Sequence, residues 1–549
     1  MRAEALSSKF HDGQMRSFWR DLRSLNPKTN KIAQRVDEAV GDDKIAELWR
    51  SRYDGILNSI DDHKYKESYE MRSNGYELDA FDIVSVEEVG NIVKSLASNK
   101  SVGLDRIPNE FYRFAPNSIL VWLTVFFNSF ISHGYLPNSI TSVSIVPLLK
   151  CKLKDSSQSD NYRPIAIATA ISKVFENILL NRMVDYLETS NNQFGFKAGH
   201  STDLCIYAIK EVIGYYRDLN TPVFICFVDI KSAFDRLSYW CLFVKLLDRG
   251  MPFYLVRILQ YWYCSQQLYV RWGSACSTAF RMGNGIRQGS CLSPLLFNVY
   301  VDDLNHRLNS SGIGCHIAGK PTNNFAYADD LAIVCPSTCA LNELLSICQL
   351  FANDHHIIYS PTKSVCMRIL PGSDQGVSLP GIYLNDSKLA YVDTFTYLGH
   401  IITKEFKDDD DIQKETRKLC ARGNTLIRTF KFANKDVKCN LFKTYCYSLY
   451  CAPLWCRNKV ASLNRLRVTY NNILRKLLDV PPWESASRMC VTANVMSFQE
   501  LKRNVVYNCM SRILDSTNDL IKTLNNSDVK RNDKLWQCWH GLLHVNHNT

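Results

Sequence analysis

The sequence predicts an α+β protein in which a mixed α/β region, residues 86–400, lies between helical flanks. Three observations carry that prediction. The middle region breaks into short apolar, β-prone runs punctuated by Gly and Pro, of which Val223-Phe224-Ile225-Cys226-Phe227-Val228 is the clearest buried strand. Phe325-Ala326-Tyr327 and Leu331-Ala332-Ile333-Val334 read as the two arms of a tight hairpin. Both ends of the chain instead read as helical, and we divide them into residues 1–85, a helical segment at 401–480 and a C-terminal extension at 481–549.

Length and composition are those of a globular protein with several subdomains: 549 residues, 46% hydrophobic and 22% charged. A net charge of +11 suits a polyanionic partner without demanding one. The longest apolar stretch, near Ile119 to Phe127, falls well short of the ~20 residues that cross a bilayer. The N-terminus carries no signal-peptide hydrophobic region. Twenty cysteines lack framework spacing and read as reduced, mostly buried thiols of an intracellular protein, in the nucleus, the cytoplasm or both, and not secreted. Cys538, His540, His544 and His547 lack a close second cysteine, and Cys451 with Cys456 lacks partners, so no zinc site is expected.

Along the chain, the first 85 residues mix charge with scattered Trp and Tyr and carry no recognisable chemistry. Lys150 and Arg163 flank a polar loop and could supply the positive charge that a triphosphate needs. Asp229 closes the buried strand. Gly285-Ile286-Arg287-Gln288-Gly289-Ser290 leads into Ser293-Pro294, an N-cap followed by proline, and so gives a glycine-rich approach to a helix N-terminus that favours phosphate. Asp329 and Asp330 occupy the hairpin tip. Two distant strand ends thus aim carboxylates at one place. Two magnesium ions about 3.5–4 Å apart, each held by one or two carboxylates, can clamp the oxygens of an in-line phosphoryl displacement. That is the layout of a nucleotide polymerase, although an isolated Tyr-Ala-Asp-Asp would read as a solvated turn.

A second tetrapeptide, Tyr300-Val301-Asp302-Asp303, has the same form. Leu296, Tyr300, Leu304 and Leu308 recur every four residues, the spacing of one helical face, which places Asp302 and Asp303 on a helix flank. Period therefore selects Asp329 and Asp330. The acidic run Asp408 to Asp411 reads as a solvated helix start, where negative charge suits the helix dipole. Behind it Lys414, Arg417, Lys418 and Arg422 share a helical face, which fits either a stripe tracking a nucleic-acid backbone or a solvated surface. Arg465, Arg467, Arg475 and Lys476 make a similar, weaker stripe.

Read in order, the segments Lys100-Ser101-Val102-Gly103-Leu104-Asp105-Arg106-Ile107-Pro108, Asn161-Tyr162-Arg163-Pro164-Ile165, Gln193-Phe194-Gly195-Phe196, Phe227-Val228-Asp229-Ile230-Lys231-Ser232-Ala233-Phe234-Asp235, Gly285-Ile286-Arg287-Gln288-Gly289, Leu292-Ser293-Pro294, Tyr327-Ala328-Asp329-Asp330 and Tyr397-Leu398-Gly399 give the chain a close resemblance to the reverse transcriptases of non-LTR, LINE-type, jockey-like retrotransposons. The resemblance covers most of the sequence.

It implies a right-hand polymerase fold, with fingers and palm in 86–400, a helical thumb in 401–480 and helical N- and C-terminal extensions. It implies that Asp229, Asp329 and Asp330 are the catalytic carboxylates and hold two Mg2+ ions, with Mn2+ a possible substitute and the Ile230 carbonyl a further ligand. Phe234 would be the steric gate against a ribose 2′-OH. Arg287 and Gln288 would line the incoming nucleotide, Lys150 and Arg163 would hold its triphosphate, and Lys363 would approach the leaving pyrophosphate as a general acid. The expected partners are an RNA template, a DNA primer and dNTPs. Relatives usually carry an endonuclease ahead of the polymerase, and nothing before Val86 supplies its acid and histidine constellation. The sequence is therefore expected to represent a truncated element product, with a catalytically inactive RNA-binding relic as the alternative. An RNA-dependent RNA polymerase is disfavoured by Phe234.

Overall fold

The structure, a computed structural model, describes residues 8, 9, 12, 14, 17, 21, 32–75, 81–151, 153–372, 379–526, 536 and 537. The possible zinc ligands Cys538, His540, His544 and His547 lie outside them.

The apolar run Val223–Val228 has all six residues buried, and it becomes the centre of a five-stranded sheet. Its neighbours are Asp330–Cys335 on one side and Val365–Ile369 on the other, both antiparallel to it. Asn324–Tyr327 pairs outside the first and Ala390–Tyr391 outside the second. A strand apolar at every position needs cover on both faces. Val223, Ile225 and Phe227 share a core with the helix Thr202–Asp218, while Phe224, Cys226 and Val228 share another with the helix Thr338–Asp354.

A second five-stranded sheet joins Tyr162–Ile167, Ser142–Leu149, Gln267–Trp272, Ala275–Cys276 and Phe280–Arg281. The N-terminal helix Asp42–Leu57 packs on it through Trp49, whose ring lies 5.1 Å from Tyr162 and 6.0 Å from Trp272. The segment in which the sequence shows no chemistry is thus part of the wall beside this sheet.

The expected helix behind the glycine-rich loop runs Ser293–Ser310, with Leu296, Tyr300, Leu304 and Leu308 all buried. Its start differs by one residue from the reading of Ser293 as N-cap. Ser293 already lies in the first turn, and its amide donates to Ser290 Oγ at 3.2 Å. Asp302 and Asp303 sit within this helix. Asp302 takes the Arg249 guanidinium at 2.6 Å, and Asp303 pairs with Lys245.

The helices Asp409–Thr429, Lys435–Cys446 and Val460–Leu478 enclose a separate core. Phe498–Leu514 and Asp519–Asn526 then return to the first sheet's core, where Tyr207 donates to Asn525 Oδ1 at 3.1 Å. The acidic run departs from expectation: Asp408 and Asp411 are buried. Lys210 Nζ meets Asp408 Oδ1 at 2.5 Å, and Asp411 Oδ2 lies 2.9 Å from His400 Nδ1 and 2.8 Å from Trp455 Nε1. Partners brought in by the fold replace the water that a solvated helix start would have used. Among the described residues no helix is long and apolar enough to cross a membrane.

Candidate active site

Three acids reach one end of the first sheet because two strands end there. In the antiparallel register Leu331 faces Val228 and Tyr327 faces Asp330, so position 330 lies across from 229 and the two-residue turn Ala328-Asp329 projects beyond. Ala328 adopts a left-handed φ of 57°. Asp229 is stitched to the segment after it in space: its amide donates to Ser364 Oγ at 3.0 Å, and its carbonyl accepts from the Ser360 amide at 2.8 Å. Lys231 donates to the Ile358 carbonyl, so the bridge between Ile230 and Tyr359 runs through the flanking residues and does not use the Ile230 carbonyl.

Asp229, Ile230 and Asp329 line a cleft of about 740 Å³. Lys150, Arg163, Phe234, Arg287, Gln288 and Lys363 line it too, so nine positions singled out in the sequence converge there. Asp330 lies beside the cleft, at the first position of its strand. The acids act on one another. Burial, then the charges of Asp329 and Asp229, push Asp330 up to about 6, while burial and Asp229 raise Asp329 against the pull of Arg163. Opposite them, burial and repulsion from Lys154, Lys363 and Arg163 lower Lys150. A negative cluster therefore faces an arc of cations.

Among the described residues no group of three or more His, Cys, Asp or Glu forms a ready metal cage. The donor set nevertheless fits a hard divalent ion that takes one or two carboxylates and completes its shell from water and phosphate. Asp229 Oδ2 is buried without a hydrogen-bond partner, and its nearest cation, Lys363 Nζ, stands 3.6 Å away. Such an oxygen is costly unless a cation satisfies it.

The remaining residues are placed by close backbone contacts. Gly285, at φ 90°, passes so near Asp235 that a Cβ would stand 2.6 Å from the Asp235 carbonyl. Gly289, at φ 121°, is equally tight against Ala166. Between them Gln288 Nε2 donates to Asp235 Oδ1 at 3.1 Å. Arg287 is held from its far side. It borders the cleft, yet its guanidinium is buried, 3.2 Å from Glu176 and stacked over Trp262 at 4.9 Å. The Glu176 carboxylate offsets part of its charge inside the protein.

The cationic stripe is also divided. Lys414 is held by Asp411 and the Gly399 carbonyl, and Arg422 donates to the Ser448 carbonyl at 2.9 Å. Lys418 pairs with Glu415 at 2.7 Å while remaining half exposed, and Arg417 is exposed. Only the middle of the stripe faces outward.

Residues without a sequence signal join the cleft as well. Tyr53 and Arg52 reach it from the N-terminal helix, Arg52 donating to Ser159 Oγ at 2.6 Å and pairing with Asp160. Asp235 could have been suspected from its place six residues beyond Asp229. Nothing local marks Arg52 or Tyr53.

A sheet presenting acids from its central strand and neighbouring hairpin, with a cationic arc opposite, has the layout of a right-hand polymerase palm. Residues 152–402 match the family model described as "Reverse transcriptase (RNA-dependent DNA polymerase)", and this stretch is a reverse transcriptase domain. The chain is similar to the RNA-directed DNA polymerase from mobile element jockey of Drosophila funebris, 26% identical over 74% of this chain and 45% of the relative. Its likeness to the jockey polymerase of Drosophila melanogaster is 24% over 82% of this chain and 50% of that one. The chain thus spans about half the length of these curated relatives. Apo telomerase from Candida tropicalis is similar over 78% of this chain and 71% of that one, at 12% identity and a TM-score of 0.40.

Proposed function

We propose that the protein is an RNA-directed DNA polymerase of a non-LTR retrotransposon, which adds dNTPs to a DNA primer on an RNA template. The observation that carries this reading is the meeting of Asp229 and Asp329, from remote segments, in one cleft with Lys150, Arg163 and Lys363. In this reading residues 86–400 are fingers and palm, 401–480 the thumb, and the protein works inside the cell.

Asp229, Asp329 and Asp330, with the Ile230 carbonyl, would hold two Mg2+ ions, which supply charge neutralisation for the attacking and leaving oxygens. The chain's own residues do the rest. Lys150 and Arg163 bind the triphosphate, whose negative charge relieves their mutual repulsion. Gln288, held by Asp235, borders the nucleotide, and Phe234 crowds the sugar edge. Lys363, on the cleft wall 3.6 Å from Asp229, would donate a proton to the leaving pyrophosphate. Arg417 and Lys418 offer sequence-independent phosphate contacts to a duplex. Catalysis is chiefly positioning and electrostatic stabilisation.

The test is primer extension on an RNA template with dNTPs and Mg2+, comparing wild type with Asp329→Ala. Extension by wild type that the substitution abolishes supports the enzyme. RNA binding by both proteins without extension by either would leave an inactive RNA-binding relic.

A further inference from the structure

The turn that carries Asp329 does not hold its own shape. A two-residue turn leaves main-chain groups without ladder partners, and here a single side chain from a distant segment takes them. Gln193 Oε1 accepts the Ala328 amide at 2.8 Å, and Gln193 Nε2 donates to the Ala328 carbonyl at 3.3 Å. The same Oε1 accepts the Gly195 amide at 2.9 Å, which fixes the carboxamide to its own segment. Gln193 is fully buried.

The segment around it is attached to the hairpin's open edge. Phe194 donates to the Ala326 carbonyl at 2.7 Å, and Ala326 donates to the Asn192 carbonyl at 2.9 Å. Asn192 Nδ2 bonds the Asn324 carbonyl at 2.8 Å, and Asn298 Nδ2 bonds the Gly195 carbonyl at 2.7 Å. Gly195 lies so close that a Cβ would stand 2.4 Å from the Ala328 nitrogen. The arrangement is tight on both sides of one residue, Ala328, immediately before Asp329.

We propose that Gln193 is the positioning residue of the Asp329 turn, its carboxamide fixing Ala328 and so the direction in which Asp329 and Asp330 present their oxygens to a divalent cation. This deepens the polymerase reading and rests on it for the use of that cation. Groups that orient metal ligands commonly change metal affinity or activity by about 10–100-fold when removed. A residue that merely fills space would not, provided its volume is kept.

The decisive variant is therefore Gln193→Met, which preserves bulk and removes both hydrogen-bonding functions. Mn2+ binding to the full chain, measured by electron paramagnetic resonance without nucleotide or primer, should weaken on the order of tenfold. Hydrogen exchange at the Ala328 amide should accelerate, and kcat should fall while KM for dNTP stays within about twofold. Unchanged Mn2+ affinity and unchanged Ala328 exchange in a folded Gln193→Met protein would overturn the proposal. If that variant does not fold, Gln193→Asn, which keeps a neutral carboxamide but withdraws it from Ala328 by one methylene, decides by the same Mn2+ titration: wild-type affinity refutes the clamp, weakened affinity supports it. A wild-type protein that fails to extend primers, yet binds Mn2+ in a Gln193-dependent way, would refute the polymerase reading and leave the clamp standing.

Discussion

Phe234 stacks on Phe297 with ring centroids 4.9 Å apart and planes 22° from parallel. Phe297 belongs to the helix Ser293–Ser310 and is fully buried, so the ring facing the cleft is backed by a packed core. A gate excludes a hydroxyl only if it cannot move aside. Phe234→Ala should raise incorporation of ribonucleotides relative to deoxynucleotides by at least about tenfold. Phe297→Leu, which loosens the backing while leaving the gate residue in place, should raise it by less. Competitive incorporation on one template measures both. Unchanged sugar discrimination in Phe234→Ala would remove the gate assignment.

Much of this site could be read in the sequence, for physical reasons that differ from residue to residue. Val223–Val228 was legible because a run apolar at every position has few homes other than the centre of a covered sheet. The choice of Asp329 and Asp330 over Asp302 and Asp303 was legible because helical period separates the two tetrapeptides. What escaped depends on pairing across the chain. Asp408 and Asp411 look like solvated acids until Lys210, 198 residues upstream of Asp408, and His400 are brought against them. Arg52 and Tyr53 have no pattern of their own, and they matter only because their helix packs on the second sheet. Arg287 reaches the cleft as its motif implies, but nothing local could reveal the buried Glu176 that pairs with it.

Lys363 Nζ stands 3.6 Å from Asp229 Oδ2 with its side chain largely open to solvent. The hydrogen bonds from the Ser360 amide to the Asp229 carbonyl and from the Asp229 amide to Ser364 Oγ hold the segment that carries it against the strand end. Lys363→Met should therefore preserve the fold and lower kcat by about 10²-fold, with little change in KM for dNTP. Lys363→Arg, which keeps the charge but gives up no proton near neutral pH, should recover binding more than turnover. Single-turnover extension separates these effects. An unaltered rate in the Met variant would show that no proton or charge is delivered from this position.

Lys210 and Asp408 make a buried ion pair at the junction between the first sheet's core and the C-terminal helices. The Asp408 carboxylate also accepts the Cys456 amide at 3.0 Å and the Arg457 amide at 2.8 Å. Removing one partner strands the other without water, which typically costs about 3–5 kcal/mol. Lys210→Met should lower the melting temperature by several degrees, and the double substitution with Asp408→Asn should recover a large part of the loss. Asparagine still accepts through its carbonyl oxygen. A double variant no more stable than Lys210→Met would show that shape, more than charge, holds the junction.

Asp235 gives a pH signature that belongs to folding and is independent of turnover. Burial pushes its carboxyl up to about 6, against the Gln288 hydrogen bond and the charge of Lys150, which pull it down. In the unfolded chain the same group ionises near its ordinary value of about 4. Between those two values the native protein holds a proton that the unfolded chain has released, so this group's contribution makes stability fall as pH rises from about 4 to about 6, and it then levels off. The full penalty, on the order of 1–3 kcal/mol, applies above the upper value. Asp235→Asn cannot ionise and keeps an oxygen to accept from Gln288. It should therefore melt several degrees above wild type near neutral pH and converge with it at about pH 4. Melting curves across that range test the sign directly: a gap that widens toward acid, or a constant gap, would mean that the Asp235 carboxyl is not held protonated by its surroundings.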